Sequence, residues 1–229
     1  MKTLLSPSIM CANLLNLEKS IDELKESGFD RLHIDVIDGA FAPSMPLGLE
    51  TIKEIRKYTD MYIDVHIMSV NNEYFIKEMI NLNVDRISFH EETSVHVQRY
   101  IDIVKNAGIE VGVALTPARD ESVLKYVIDQ LDSVLIMMIN PGYATNKNEG
   151  QIKYGLEKIK NIKEMIDRSN SKAKIQLDGR VSTDKFNDYI SYGARDLVLG
   201  SKSLYKKGLN LKENRENIIK SIKEAENGL

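Results

Sequence analysis

Short apolar, β-branched runs recur along the chain at 4–11, 31–36, 61–68, 86–90, 110–115, 133–139, 173–177 and 196–199, and each reads as a strand. Between them the apolar positions move to helical spacing with interleaved charge, at 17–27, 49–58, 72–81, 95–106, 121–130, 151–166 and 183–192, and a last helical stretch follows near Glu213. Gly28, Gly108 and Gly193 each stand between a helical stretch and the next strand, where a C-terminal cap calls for positive φ. The repeated unit is therefore a strand followed by a helix. The strands are mostly apolar without strict alternation, which implies burial on both faces, as parallel strands wrapped by helices require. Eight near-equal units predict a closed (β/α)8 TIM barrel, with residues 1–229 forming a single domain. An open doubly wound sheet is the alternative, but no GxGxxG follows the first strand.

Composition narrows the function classes. The chain has 229 residues, 42% of them hydrophobic and 28% charged, as expected of a soluble globular protein. A net charge of -3 with both signs interspersed gives no basic stripe for nucleic acid. No run of 18 apolar residues occurs, and the segment from Met1 to Pro7 is too short for a signal-peptide apolar region, so no membrane partner and a cytoplasmic location are expected. The single cysteine, Cys11, excludes an internal disulfide and any CxxC site. A metal here must be held by His, Asp or Glu.

Strand C-termini form the active-site face of such a barrel, so polar residues there call for an explanation. The second strand reads Leu32-His33-Ile34-Asp35-Val36-Ile37-Asp38-Gly39, and the period of two puts His33 and Asp35 on one face. The third puts Asp64, His66 and Met68 on one face, and the seventh ends Gln176-Leu177-Asp178-Gly179. If these ends meet at the barrel mouth, His33, Asp35, His66 and Asp178 form a set suited to one divalent ion such as Zn²⁺, Mn²⁺, Fe²⁺ or Co²⁺. His90, at the end of the fourth strand, and His96, in a polar stretch, are not expected to be ligands. Turn glycines follow three strands, at Asn140-Pro141-Gly142-Tyr143, Asp178-Gly179 and Gly200-Ser201. Such turns let backbone amides approach an anion, and the loops after strands seven and eight are the usual phosphate site of this fold. Met10, Met68 and Met137 fall near strand ends and are expected to line a pocket.

Taken together, Ser6-Pro7-Ser8, His33-x-Asp35-x-x-Asp38-Gly39, Asp64-x-His66-x-Met68, Leu135-Ile136-Met137 with Asn140-Pro141-Gly142-Tyr143, Asp178-Gly179 and Gly200-Ser201 resemble the ribulose-phosphate 3-epimerase family. The likeness spans nearly the whole chain, and Ser8-Ile9-Met10-Cys11 is similar to the branch that acts on allulose 6-phosphate. It implies a ketose-phosphate 3-epimerase with a divalent ion on His33, Asp35, His66 and Asp178. It also implies that Asp35 and Asp178 are the paired acid and base, and that Ser8 and His66 touch the sugar. By the same likeness the phosphate lies against Gly142, Tyr143, Ala144, Thr145, Gly179, Arg180, Gly200 and Ser201. Inverting a carbon beside a ketone needs a proton removed from one face and one returned to the other, so two opposed carriers suffice without a redox cofactor. Three positions depart from the family pattern: Tyr143-Ala144-Thr145-Asn146 replaces Phe-Gly-Gly-Gln, Arg180 replaces a glycine, and Ile37 replaces a methionine. The Arg180 guanidinium is expected to grip phosphate in place of part of the amide cradle.

The expected substrate pair is ribulose 5-phosphate and xylulose 5-phosphate, with allulose 6-phosphate as the alternative. A Schiff-base lyase would need a lysine pointing inward from a strand end, and none is identified. A silent sugar-phosphate-binding barrel is the third reading. Residues 140–150 are polar and rich in Asn and Lys and are a candidate lid. A homo-oligomer is expected from the fold class.

Overall fold

Each apolar run becomes a parallel strand and most helical stretches become amphipathic helices, in the computed structural model that describes residues 2–144, 146, 148–206 and 208–228. The strands are β1 (Leu4–Pro7), β2 (Arg31–Ile37), β3 (Tyr62–Met68), β4 (Arg86–His90), β5 (Glu110–Leu115), β6 (Ser133–Met137), β7 (Lys174–Asp178) and β8 (Ala194–Leu199). They pair in parallel in sequence order from β2 to β8, and β8 pairs with β1. One parallel bridge, Ser8 to His33, joins the remaining two edges and makes the sheet a barrel. The single-domain (β/α)8 TIM barrel expected from the sequence is the fold observed.

The helices are α1 (Leu17–Glu26), α2 (Leu49–Tyr58), α3 (Asn72–Asn81), α4 (Val97–Asn106), α5 (Gly155–Ser169), α6 (Phe186–Ser191) and α7 (Leu211–Asn227). Local signals explain their ends. Asn210 and Glu213 close a reciprocal capping box on α7, and Gly28, Gly108 and Gly193 have φ of 89°, 75° and 114° beyond the helices they terminate. Two expectations shift. The first strand stops at Pro7, which has no N–H for the ladder, and Ile9–Cys11 form a 3-10 turn. The helix expected over 121–130 is replaced by two 3-10 turns, Glu121–Leu124 and Ile128–Gln130. Asp120 starts the first of them by accepting from the Ser122 amide at 2.8 Å, and the two turns still bury Leu124 and Ile128.

Alternate strand residues face two different environments. Ile34, Val65, Ile87, Val113, Val134, Leu177 and Leu197 join Ile21, Leu24, Ile52, Ile76, Ile101 and Ile162 of the helices in one apolar belt outside the barrel. The opposite faces meet in the lumen, and there the lower layer is polar. Gln176 of β7 donates to Asp64 Oδ2 of β3 at 2.6 Å, and Arg86 of β4 donates through Nη2 to Asp196 Oδ2 of β8 at 2.7 Å. In both cases the strands stand four apart in an eight-membered ring, so these bonds cross the lumen. Arg86 Nε also donates to Asp64 Oδ1 at 2.7 Å, and Ser6 Oγ donates to Asp196 Oδ1 at 2.8 Å. Arg86 is 1% exposed and both aspartates are wholly buried, so each charge depends on the others for compensation. Gly112 of β5 belongs to the same layer, because a Cβ there would stand 2.2 Å from Ser88 Oγ.

Replacing Arg86 by methionine is expected to lower stability by about 3–5 kcal/mol, because it leaves two buried carboxylates without their shared cation. Urea denaturation of the two proteins checks this.

Candidate metal centre and active site

Above the polar layer, the strand ends bring together the four side chains singled out by the period of two. His33 Nε2, Asp35 Oδ1, His66 Nδ1 and Asp178 Oδ2 converge, and one ligand atom from each residue lies within 4.8 Å of the other three. The register places Asp35 beside His66 and His33 beside Asp64, so two neighbouring strands supply three of the four groups. Asp178 reaches in from β7, with β8 and β1 between it and β2 in the ring.

The donor set fits a divalent ion. His33 Nε2, Asp35 Oδ1 and His66 Nδ1 are buried and have no hydrogen-bond partner, an arrangement that costs about 1–3 kcal/mol per group unless something satisfies them. The separations are 3.4 Å for His33–Asp35, 3.5 Å for His66–Asp35, 3.5 Å for His66–Asp178 and 4.0 Å for His33–Asp178. A tetrahedron with ligand bonds of about 2.1 Å has edges of about 3.4 Å. With the site formed by protein alone, burial pulls the His33 pKa down, but Asp35 and Asp64 outweigh it and hold it well above the ordinary histidine value. His66 is raised in the same way by Asp178 and Asp35 against its burial. Burial pushes Asp35 up, yet His33 and His66 beside it hold its carboxyl well below the usual range.

Each aspartate has a second oxygen held by the protein. Ser8 Oγ donates to Asp35 Oδ2 at 3.1 Å, and the Gly179 amide donates to Asp178 Oδ1 at 2.7 Å. Asp38, the second aspartate of its motif, has a different task. Its Oδ1 accepts from the Ala40 and Phe41 amides and its Oδ2 from Ser69 Oγ and the Val70 amide, all at 2.8–2.9 Å, which clasps the loops after β2 and β3 together.

Asp35 and Asp178 lie in the wall of a cavity of about 470 Å³. Ser8, Met10, Ile37, Met68 and Met137 line it. Gly142, Ala144, Gly179, Arg180, Gly200 and Ser201 line the same cavity. Tyr143 is not among its walls and is 42% exposed, and Thr145 lies outside the described residues. Arg180 adopts a left-handed φ of 53°, a conformation suited to the glycine of the family pattern. Its Nη2 donates to the carbonyls of Ala144 and Asn146, while its Nε is buried without a partner among the described residues. The guanidinium therefore ties the turn after β7 to the loop after β6. Cys11 and Tyr205 also line the cavity and were not anticipated; burial, reinforced by the Asp35 charge, pushes the Cys11 thiol up to about 11. The Tyr205 hydroxyl is buried and unpartnered, and no periodicity marks it because it sits beyond β8 in a turn.

A model of the ribulose-phosphate 3-epimerase family matches residues 4–204. The chain belongs to this family. It is 35% identical over 197 residues to the ribulose-phosphate 3-epimerase of Bacillus subtilis, covering 86% of this chain and 89% of that one. It is 34% identical over 203 residues to the enzyme of that name from Buchnera aphidicola subsp. Baizongia pistaciae, with 87% and 88% covered. Among solved structures, the 3-keto-L-gulonate-6-phosphate decarboxylase of Vibrio cholerae superposes with a TM-score of 0.70, covering 98% of this chain and 99% of that one. At 9% identity that likeness concerns the barrel alone. Among the described residues no helix is long and apolar enough to cross a membrane.

Elemental analysis of the purified epimerase-family chain is expected to find one divalent ion per chain. Substituting His33 or His66 by alanine is expected to weaken Zn²⁺ binding at least tenfold in a chelator competition, with the barrel still folded by circular dichroism.

Proposed function

We propose that this protein is a divalent-metal-dependent isomerase that epimerises a ketose phosphate at C3, interconverting ribulose 5-phosphate and xylulose 5-phosphate. The observation that carries the reading is the pair of carboxylates, Asp35 and Asp178, supplied by separate strands to one cavity around a set of metal-fitting atoms. The names of its relatives agree with it.

The chemistry asks for two proton carriers on opposite faces of C3. One aspartate accepts the C3 proton while the other, holding a proton, delivers it to the other face, and the reverse reaction exchanges the roles. Asp35 Oδ2 and Asp178 Oδ1 are the oxygens suited to this traffic, since Asp35 Oδ1 and Asp178 Oδ2 belong to the cluster that would hold the ion. The Ser8 hydroxyl and the Gly179 amide orient those oxygens. When bound, the divalent ion supplies Lewis-acid stabilisation of the negative charge that develops on the enediolate oxygens, worth several kcal/mol. Met10, Met68 and Met137 bring thioethers to the cavity wall; these pack on a planar carbon skeleton without competing for its protons. Phosphate is assigned to the side of the cavity formed by Gly142, Ala144, Gly179, Arg180, Gly200 and Ser201. There the unpartnered Arg180 Nε offers a charged donor beside a turn that Arg180 itself anchors.

The Schiff-base alternative loses support, because no lysine stands among the cavity-lining residues described. The buried Lys158 has its ammonium on the carbonyls of Thr116, Pro117 and Arg119.

Proton NMR in D₂O is expected to show deuterium entering C3 of ribulose 5-phosphate as its epimer appears. An Asp178→Asn variant should slow this by roughly 10²- to 10⁴-fold. Exchange that is faster with allulose 6-phosphate would assign the hexulose substrate instead, and no exchange with either sugar by the metal-loaded protein would overturn the reading. Arg180→Ala is expected to lower kcat/KM about tenfold through KM, the effect of one charged hydrogen bond of about 1.5 kcal/mol, with metal content unchanged.

A further inference from the structure

His90 is wholly buried at the end of β4, directly beside the metal cluster but outside it. Its Nε2 lies 2.9 Å from His66 Nε2, its Nδ1 lies 3.0 Å from Glu92 Oε1, and the Phe41 ring packs on it at 4.7 Å between centroids. Glu92 Oε1 also accepts from the Thr116 amide at 3.1 Å, so the far end of the chain is fixed to the backbone just beyond β5.

The direction of these bonds follows from the end that has no choice. A carboxylate only accepts, so His90 Nδ1 carries a proton and donates to Glu92. Only one proton fits between the two Nε2 atoms. If His90 held it, His90 would be an imidazolium and a neutral His66 would carry its own proton on Nδ1, against the metal position. If His66 holds it, His90 is neutral and accepts, and His66 Nδ1, 3.5 Å from both Asp35 and Asp178, is the nitrogen that is free of a proton when the ion is bound. We infer that Glu92 and His90 are positioning residues that act through His66, forming a one-way hydrogen-bond relay that keeps the His66 proton on Nε2 and its Nδ1 free to ligate the divalent ion.

The relay complements the arrangement at the other ligand histidine. His33 Nδ1 donates directly to Asp64 Oδ2 at 2.8 Å, which leaves Nε2 as its ligating atom. The two histidines thus bind through opposite ring nitrogens, one backed at once by a carboxylate and the other by a neutral imidazole with the carboxylate one ring further away. Such outer partners change metal affinity by about 10- to 100-fold when removed.

The inference rests on the metal reading of the site, and its test separates the two. In the zinc-loaded wild-type protein, ¹⁵N-edited NMR of the imidazoles is expected to show His66 with a protonated Nε2 and a zinc-bound Nδ1, and His90 with a protonated Nδ1. A His90→Leu variant should lose 10- to 100-fold in zinc affinity by chelator competition. His90→Gln, whose amide both accepts and donates, should restore most of that loss. A His66 protonated on Nδ1, or zinc affinity within twofold of wild type in folded His90→Leu, would overturn the relay while leaving the metal site intact. Should His90→Leu fail to fold, the wild-type tautomers still decide. Failure of the wild-type protein to bind zinc at all would overturn both readings.

Discussion

The carboxylate of Asp64 holds the barrel and its site in one frame. Three donors from three other strands meet on it: His33 of β2, Arg86 of β4 and Gln176 of β7. Burial alone would push its pKa up, yet the Arg86 and His33 charges keep it ionised, so the anion serves at once as the counterion of the lumen and as the orienting partner of His33, one of the four candidate ligands. Loss of this charge would free Arg86, release Gln176 and let the His33 ring choose either tautomer. Buried ionic clusters are seldom favourable for stability by themselves, and here the cluster is better understood as the support that fixes where the site's donors point.

Around that frame the two faces of the strands have separate duties. The outer belt of Ile, Val and Leu against the helices supplies the hydrophobic drive to fold. The lumen holds the polar groups, with the hydrogen bonds of Asp64 and Asp196 below, the unsatisfied atoms of His33, Asp35 and His66 above, and a small apolar cluster of Ala114, Leu135 and Met137 on β5 and β6. The contrast between the Asp64 carboxylate, which takes three hydrogen bonds, and His66 Nδ1, two residues further along β3 and without a partner among the described residues, is what separates the supporting network from the candidate ligand set. The methionines and Ile37 close the upper layer with side chains that offer no competing hydrogen bonds.

Much of this was legible in the sequence, and for a definite reason. His33 with Asp35, and Asp64 with His66, are separated by two residues on strands, so alternation alone puts each pair on one face, and the strand count places those faces at one mouth. The partners that cross the lumen were not legible, because Arg86 to Asp196 and Asp64 to Gln176 span 110 and 112 residues, and no local pattern records which strands lie opposite. The signal was nonetheless present: Arg86, Ser88 and His90 alternate on β4 as polar residues on an otherwise apolar strand, and that pattern identifies the inward face. The missing helix between β5 and β6 escaped because its apolar spacing was right, and two 3-10 turns bury Leu124 and Ile128 as a helix would. Arg180 was noticed as a departure, but its grip on the Ala144 and Asn146 carbonyls depends on the path of a loop that composition does not fix.

The barrel is sealed at Ser8 and His33 by a single bridge, and β1, which delivers Ser8, is held on its other side by β8. Within the barrel β1 therefore depends on β8, which follows every other strand in chain order. At a ribosome's pace of about 5–20 residues per second, the stretch from the end of β7 to the end of β8 takes about a second or more to add, and until then the edge at His33 is open. During that interval Ser8 has no fixed place beside Asp35 and Asp196 is not yet available to neutralise Arg86. The place of Ser8 beside Asp35 is therefore settled only when β8 closes the ring, so a strand that carries no residue of the cluster is the one that completes it.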